Sequence, residues 1–381
     1  MLRLLILAHA NRVAGPRFVA RNLIRALARL KQDVQIIPVL PVGCGYEEIV
    51  QNLELSPIWF DQKNNQLRRF VFDMVRLPLC ISQHQPDVIL SLGSNGLLRP
   101  PVPQVILVQD PHFVYPREHF GNMSSRERAR YFVQGWQLRI ALDRSKLIYC
   151  QTSLMIERLR RWFAVDGRVK ILPKCVDVSP LDATPSTSAS SKVMGSHAGC
   201  YRLICLCRYY AHKNLEIVCD AFERHGDILK GVLVFLTIAV DQHPRVAPLL
   251  QRINWMGLAD RIINLGPIDE RDIPACYENC EGLLLPTLLE SFSGAYLDAM
   301  HWGVPIVTSE LDFARQVCGE AAIYFDPCSP LSMAEAVVRL KSDRSLQKQL
   351  AKAGQERLRL EYWRTWDDIA TQVVGDIREL A

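Results

Sequence analysis

No stretch of this 381-residue sequence approaches the roughly 18 consecutive apolar residues that a membrane span requires. The apolar run Leu4–Ala8 is too short for the core of a secretory signal, and no small-residue cleavage site follows it. It reads as a buried first strand, and the chain as cytoplasmic. The C-x-x-C spacing is missing too. Twelve cysteines are scattered along the chain, which argues against a zinc site and reads as reduced core thiols. There is no D-x-D, hence no sign of a metal-held diphosphate, and neither G-x-x-x-x-G-K-[ST] nor G-x-G-x-x-G occurs. Leu90-Ser-Leu-Gly-Ser-Asn-Gly96 imitates the last of these without its spacing. No internal repeat is evident.

The length is large for one core, so two domains are the default. Hydrophobic content of 49% and charged content of 22% are ordinary for a globular protein. Charge is shared unevenly. Residues 1–175 hold 25 Lys and Arg against 13 Asp and Glu, a surplus of +12, and residues 176–381 hold 20 against 27. A basic half invites an anionic partner such as nucleic acid, phosphate or a membrane surface.

Short apolar strands alternate with amphipathic helices. Strands are expected at Leu2–Ala8, Val34–Val39, Asp87–Ser91, Gln104–Val108 and Leu147–Cys150. Helices are expected at Phe18–Leu30, Leu67–Gln83, Ser124–Arg144 and Ser153–Phe163. Such alternation means a parallel sheet covered by helices. Residues 176–200, rich in Ser, Thr, Ala and Pro, read as a linker or mobile insertion. The pattern restarts with a strand at Tyr201–Cys207, a helix at Leu215–His225 and strands at Val232–Ala239 and Gly282–Leu285. It ends in an amphipathic helix, Glu361–Leu380, with Trp363 and Trp366 near its start.

Three post-strand loops carry chemistry, since open α/β sheets bind ligands at the carboxyl ends of their strands. After Gly282–Leu285 and a turn at Pro286, small residues (Ser291, Ser293, Gly294, Ala295) open a short helix. Its first backbone N–H groups, from Phe292 to Ala295, would converge on a phosphate. Glu290 and Asp298 flank that point. Carboxylates beside phosphate must hold hydroxyls or positive charge. A sugar nucleotide offers both, because its sugar carbon turns cationic as the bond breaks. Arg208-Tyr-Tyr-Ala-His-Lys213-Asn214 supplies two cations within six residues, suited to a diphosphate. Gln109-Asp110-Pro111-His112 is the third loop; either Asp110 or His112 could meet a sugar hydroxyl. A further loop, His9–Arg17, joins the first strand to the first helix, and its Gly15 serves either a tight turn or close approach to a ligand.

At Glu290–Val307 and Arg208–Asn214 the chain resembles the retaining glycosyltransferases of family 4. That family carries Glu, seven residues, Glu, then Ala-Met, a Gly and Pro-Val/Ile. Here Asp298 stands for the second Glu, Ser291 for the usual following Gly, and Gly15 for two or more glycines. The resemblance covers nearly the whole chain and is strongest from Tyr201 to Pro327.

It implies an α/β protein of GT-B fold, two doubly wound Rossmann-like domains facing across a cleft. Residues 1–175 would bind the acceptor, 176–200 would be the linker, 201–360 would bind the donor, and 361–381 would cross back as a helix. The implied activity is metal-independent, retaining transfer of a hexose from a nucleotide diphosphate sugar, with no cofactor. Arg208 and Lys213 would hold the diphosphate and stabilise its departure, and Glu290 would contact the donor sugar. Ser291, Phe292, Ser293, Gly294 and Ala295 would bind phosphate, Asp298 ribose, and Gly15 the donor; Asp110 and His112 would lie on the acceptor side. A glycan or lipid-linked acceptor in polysaccharide or lipopolysaccharide assembly would account for the basic half. So would peripheral attachment to the anionic inner face of the cytoplasmic membrane. No nucleic-acid motif is present. Two alternatives stay open: a sugar-nucleotide epimerase of the same fold, which needs further acid/base carboxylates, and a non-catalytic glycan- or RNA-binding subunit.

Overall fold

The computed structural model describes residues 1–30, 33–61, 71–116, 120, 123–165, 167–176 and 189–380. The chain divides into two compact units. One comprises residues 1–115, 124–174 and 364–381, and the other residues 116–123 and 175–363.

The first unit is built on a seven-stranded sheet of order β3-β2-β1-β4-β5-β6-β7, every pairing parallel. Its strands are β1 (Leu2–Leu7), β2 (Val34–Pro41), β3 (Ile58–Phe60), β4 (Val88–Leu92), β5 (Gln104–Val108), β6 (Leu147–Cys150) and β7 (Val169–Ile171). β4 and β5 are buried along their whole length, as strands covered on both faces must be. The strand order reverses between β1 and β4, the switch point of a doubly wound sheet. β3 and β7, three residues each, escape sequence reading because they are too short to show a period.

Helix Ala14–Arg29 begins four residues before the expected Phe18, because Pro16 is tolerated in a first turn. The expected helix from Leu67 falls partly outside the described residues; a wide turn at Phe72–Arg76 leads into helix Leu77–His84. The terminal helix spans Trp366–Arg378 and starts later than Glu361. Thr365 and Asp368 form a reciprocal capping box there, after a wide turn at Leu358–Tyr362. It buries Ile369, Val373 and Ile377 and packs on helix Ala14–Arg29. Asp376 on this helix accepts hydrogen bonds from Tyr149 Oη and Lys170 Nζ, each at 2.7 Å.

The second unit holds a six-stranded parallel sheet of order β10-β9-β8-β11-β12-β13. Its strands are β8 (Tyr201–Cys205), β9 (Val232–Leu236), β10 (Ile262–Asn264), β11 (Gly282–Leu285), β12 (Ile306–Ser309) and β13 (Ala322–Phe325). Leu203, Val218, Phe222, Val234, Leu284 and Val337 share one core cluster. All twelve cysteines are unpaired and six are buried. The linker reading needs correction in its second half. Residues 177–188 lie outside the described residues, but Ala189–Gly195 is a helix. Met194, fully buried, anchors it, and its carbonyl accepts from Arg202 Nη1 at 3.2 Å.

Candidate active site

In the second unit two carboxyl-end loops are tied together. The loop after β8 turns through a short 3-10 helix, Ala211–Lys213, and closes on Asn214, which takes a left-handed conformation at φ 55°. The loop after β11 binds to it by main chain: the carbonyl of His212 accepts from Leu288 N at 2.7 Å and from Thr287 Oγ1 at 3.3 Å. This register brings Lys213 Nζ and Glu290 Oε1 into an ion pair, with side chains only 12% and 13% exposed. Burial alone pulls the Lys213 ammonium down, but the charge of Glu290 and its hydrogen bond outweigh burial, so its pKa lies above the ordinary value. Cys207 sits beside the pair. Burial pushes its thiol up to about 11, against the opposing pull of Lys213.

Arg208, half-buried on the same loop, makes no ion pair among the described residues. The helix expected after Glu290 spans Gly294–His301, and Ser293 precedes it without a side-chain cap. Its first N–H groups therefore have no intrahelical acceptor. Phe292 is buried edge-on against Tyr362, with ring centroids 5.5 Å apart. Asp298 lies on this helix beside Tyr277, whose phenol is pushed up by burial and then by the Asp298 charge. Tyr277 Oη donates to the carbonyl of Ala295 at 3.2 Å, so the helix start is braced from below.

In the first unit Asp110 and His112 form one assembly. Asp110 Oδ1 accepts from the backbone N of His112 at 3.0 Å and pairs with its Nδ1 at 2.7 Å. The His112 ring stacks on Tyr131, centroids 4.4 Å apart. The turn that holds Asp110 is set by Ser94, whose Oγ accepts from Gln109 N at 2.8 Å and Asp110 N at 2.9 Å. Gly15 has ordinary backbone, and a Cβ there would meet no protein atom within 4 Å; nothing in the protein itself demands glycine. Among the described residues no group of three or more His, Cys, Asp or Glu is placed to hold a metal ion.

Gly93, which sequence reading passed over, is different. It sits at φ +93°, and an added Cβ would lie 2.2 Å from Asn11 Oδ1. Gly93→Ala is therefore expected to destabilise the fold by about 2 kcal/mol or more, from backbone strain plus overpacking. A urea unfolding curve measures this, and an unchanged midpoint would contradict the contact. The signal in the sequence was the Gly-Ser-Asn turn after a buried strand, readable as a turn but not as a close approach.

The Glycosyl transferases group 1 model matches residues 200–343, and the Glycosyltransferase Family 4 model matches residues 13–180. Between them they cover most of the chain, the pair of tied loops included. The chain belongs to the group 1 glycosyltransferases. The uncharacterized glycosyltransferase MJ1607 of Methanocaldococcus jannaschii is 24% identical over 122 residues, 32% of this chain and 31% of that protein. The chain thus aligns with about a third of that relative's length. Among solved structures, Anabaena Alr3699/HepE in complex with UDP and glucose superposes with a TM-score of 0.76 at 17% identity, over 100% of both chains. WaaG, a glycosyltransferase involved in lipopolysaccharide biosynthesis, superposes with 0.73 at 12% identity over 99% of both. These likenesses show the fold, GT-B, with two Rossmann-like parallel sheets.

Proposed function

We propose that this glycosyltransferase moves a hexose from a nucleoside diphosphate donor to a glycan or lipid-linked acceptor with retention of configuration. The observation that carries the reading is the buried Lys213–Glu290 pair, set on two loops that are bonded to each other. In that reading the donor's diphosphate takes Arg208, Lys213 and the backbone N–H groups from Phe292 to Ala295. Departure of the leaving group is then stabilised by preorganised charge. Asp298 accepts from the ribose, Glu290 contacts the sugar, and Gly15 binds the donor. Because Glu290 is bound to a cation, it is a poor nucleophile; this favours attack from the leaving-group side. No resident cofactor enters the scheme. HepE's complex with UDP supports a nucleotide-sugar donor, and WaaG's role supports cell-surface polysaccharide assembly. A thermal-shift series with UDP, GDP and ADP tests the donor reading. At 100 times Kd the right nucleotide stabilises by about 2.7 kcal/mol, and no shift with any of them would remove it.

The same reading places the enzyme at an anionic bilayer. Phe132 and Trp136 stand one turn apart on helix Ser125–Asp143, 71% and 58% exposed, and Arg139 Nη2 ties that helix to the carbonyl of exposed Trp162. Arg126, Arg128, Arg130, Arg144, Arg160 and Arg161 surround them in sequence. Aromatic side chains among arginines suit a headgroup layer. No described helix is long and apolar enough to cross a membrane. Sedimentation with phosphatidylglycerol vesicles is expected to fall as salt rises, since exposed charges are screened within about 8 Å at physiological ionic strength. Equal binding to phosphatidylcholine vesicles would count against it.

A further inference from the structure

Buried polar side chains normally find partners, so each exception needs a reason. Two exceptions flank the switch point of the first sheet. Asn11, just past the end of β1, is 1% exposed, and its Nδ2 has no hydrogen-bond partner among the described residues. Gln109, just past the end of β5, is 7% exposed, and its Nε2 has none either. The end of β4 lies between them. There Gly93 approaches Asn11 Oδ1 so closely that no Cβ fits, and Ser94 Oγ accepts from the backbone of Gln109. Ser94 also holds a left-handed conformation, at φ 62°. Strained backbone and unsatisfied amides thus coincide at the crevice where open parallel sheets bind ligands.

We propose that Asn11 and Gln109 form a subsite for a neutral polyol, the hydroxyls of the acceptor's sugar; this rests on the transferase reading above. Two neutral amides donate through nitrogen and accept through oxygen, which matches hydroxyl groups, and the adjacent Asp110 carboxylate accepts from hydroxyls while repelling anions. Both nitrogens are closed to solvent in this conformation, so binding turns the side chains outward onto the ligand. A buried amide nitrogen without a partner returns no hydrogen bond on folding and costs desolvation. Its loss therefore separates stability from binding, which a structural role would not do.

The test uses the full chain. Saturation-transfer NMR with methyl glucoside, galactoside and mannoside is expected to show at least one sugar binding at millimolar concentration, undisturbed by equimolar inorganic phosphate. Gln109→Met and Asn11→Leu, close to isosteric, are each expected to weaken that binding at least about 10-fold. They should leave the melting temperature equal or higher and calorimetric affinity for UDP, GDP or ADP unchanged. The proposal is overturned if no sugar binds the native chain, if phosphate displaces the sugar, if both variants keep the affinity, or if both fail to fold, since the amides would then be structural. Loss of nucleotide binding in the native chain would sink the donor reading instead, so the two failures are told apart.

Discussion

Replacing Lys213 by methionine is expected to cost both stability and catalysis, and the two losses should respond differently to a second change. Lys213 and Glu290 are nearly buried and paired. Removing one partner of a buried pair leaves an uncompensated charge, at a cost of about 3–5 kcal/mol. Turnover should drop about 10²–10³-fold, the range for losing one donor to a developing negative charge. In Lys213→Met/Glu290→Gln no buried charge remains, so the urea midpoint should recover while turnover does not. Glu290→Gln alone should lower turnover yet keep affinity for the bare nucleotide, whereas Asp298→Asn should weaken that affinity. Arg208 offers the contrast. It has no ion-pair partner among the described residues, so Arg208→Ala should leave the midpoint in place while weakening nucleotide binding by about 1.5–3 kcal/mol per lost charged hydrogen bond. Retained affinity in both Lys213→Met and Arg208→Ala would remove the clamp. The pH dependence has a defined sign. A raised Lys213 pKa means the pair's contribution is fully present below about 10.4 and is lost only as pH rises through the folded value, so it is constant across neutral pH.

His112→Ala is expected to lower sugar transfer about 10²-fold, the low end for a positioned polar group. Affinity for the nucleotide alone should be unchanged. The structure adds a second variant. Asp110 fixes His112 through both its ring and its backbone nitrogen. A carboxylate at Nδ1 selects the tautomer whose Nε2 can accept a proton. Asp110→Asn keeps the shape and loses that selection, so kcat should fall. If His112→Ala transfers sugar at the native rate, the loop is structural and Tyr131 stacking is its purpose.

The two sheets were legible because parallel strands buried on both faces read as unbroken apolar runs, as in β1, β4, β5 and β9. The short strands β3, β7 and β10 were not, because three residues carry no period and are recruited by the neighbour they pair with. The helix at Ala189–Gly195 was hidden by its composition, since only packing around Met194 makes a Ser-rich stretch helical.

Chemistry followed the same division. Sequence by itself determined which residues are candidates, because the chain must return each strand's carboxyl end to one edge of its sheet. Arg208, Lys213, Glu290 and Asp298 sit on two such ends, and Asp110 and His112 on a third. Only the tertiary structure decided who touches whom. Lys213 meets Glu290, 77 positions away, because the carbonyl of His212 binds the loop after β11. Asn11 Nδ2 is buried with no hydrogen-bond partner among the described residues, and its Oδ1 lies where a Cβ on Gly93 would stand, although the two residues are 82 positions apart. Pairings of this kind depend on ångström-scale register between segments distant in sequence, and local spacing carries no information about that distance.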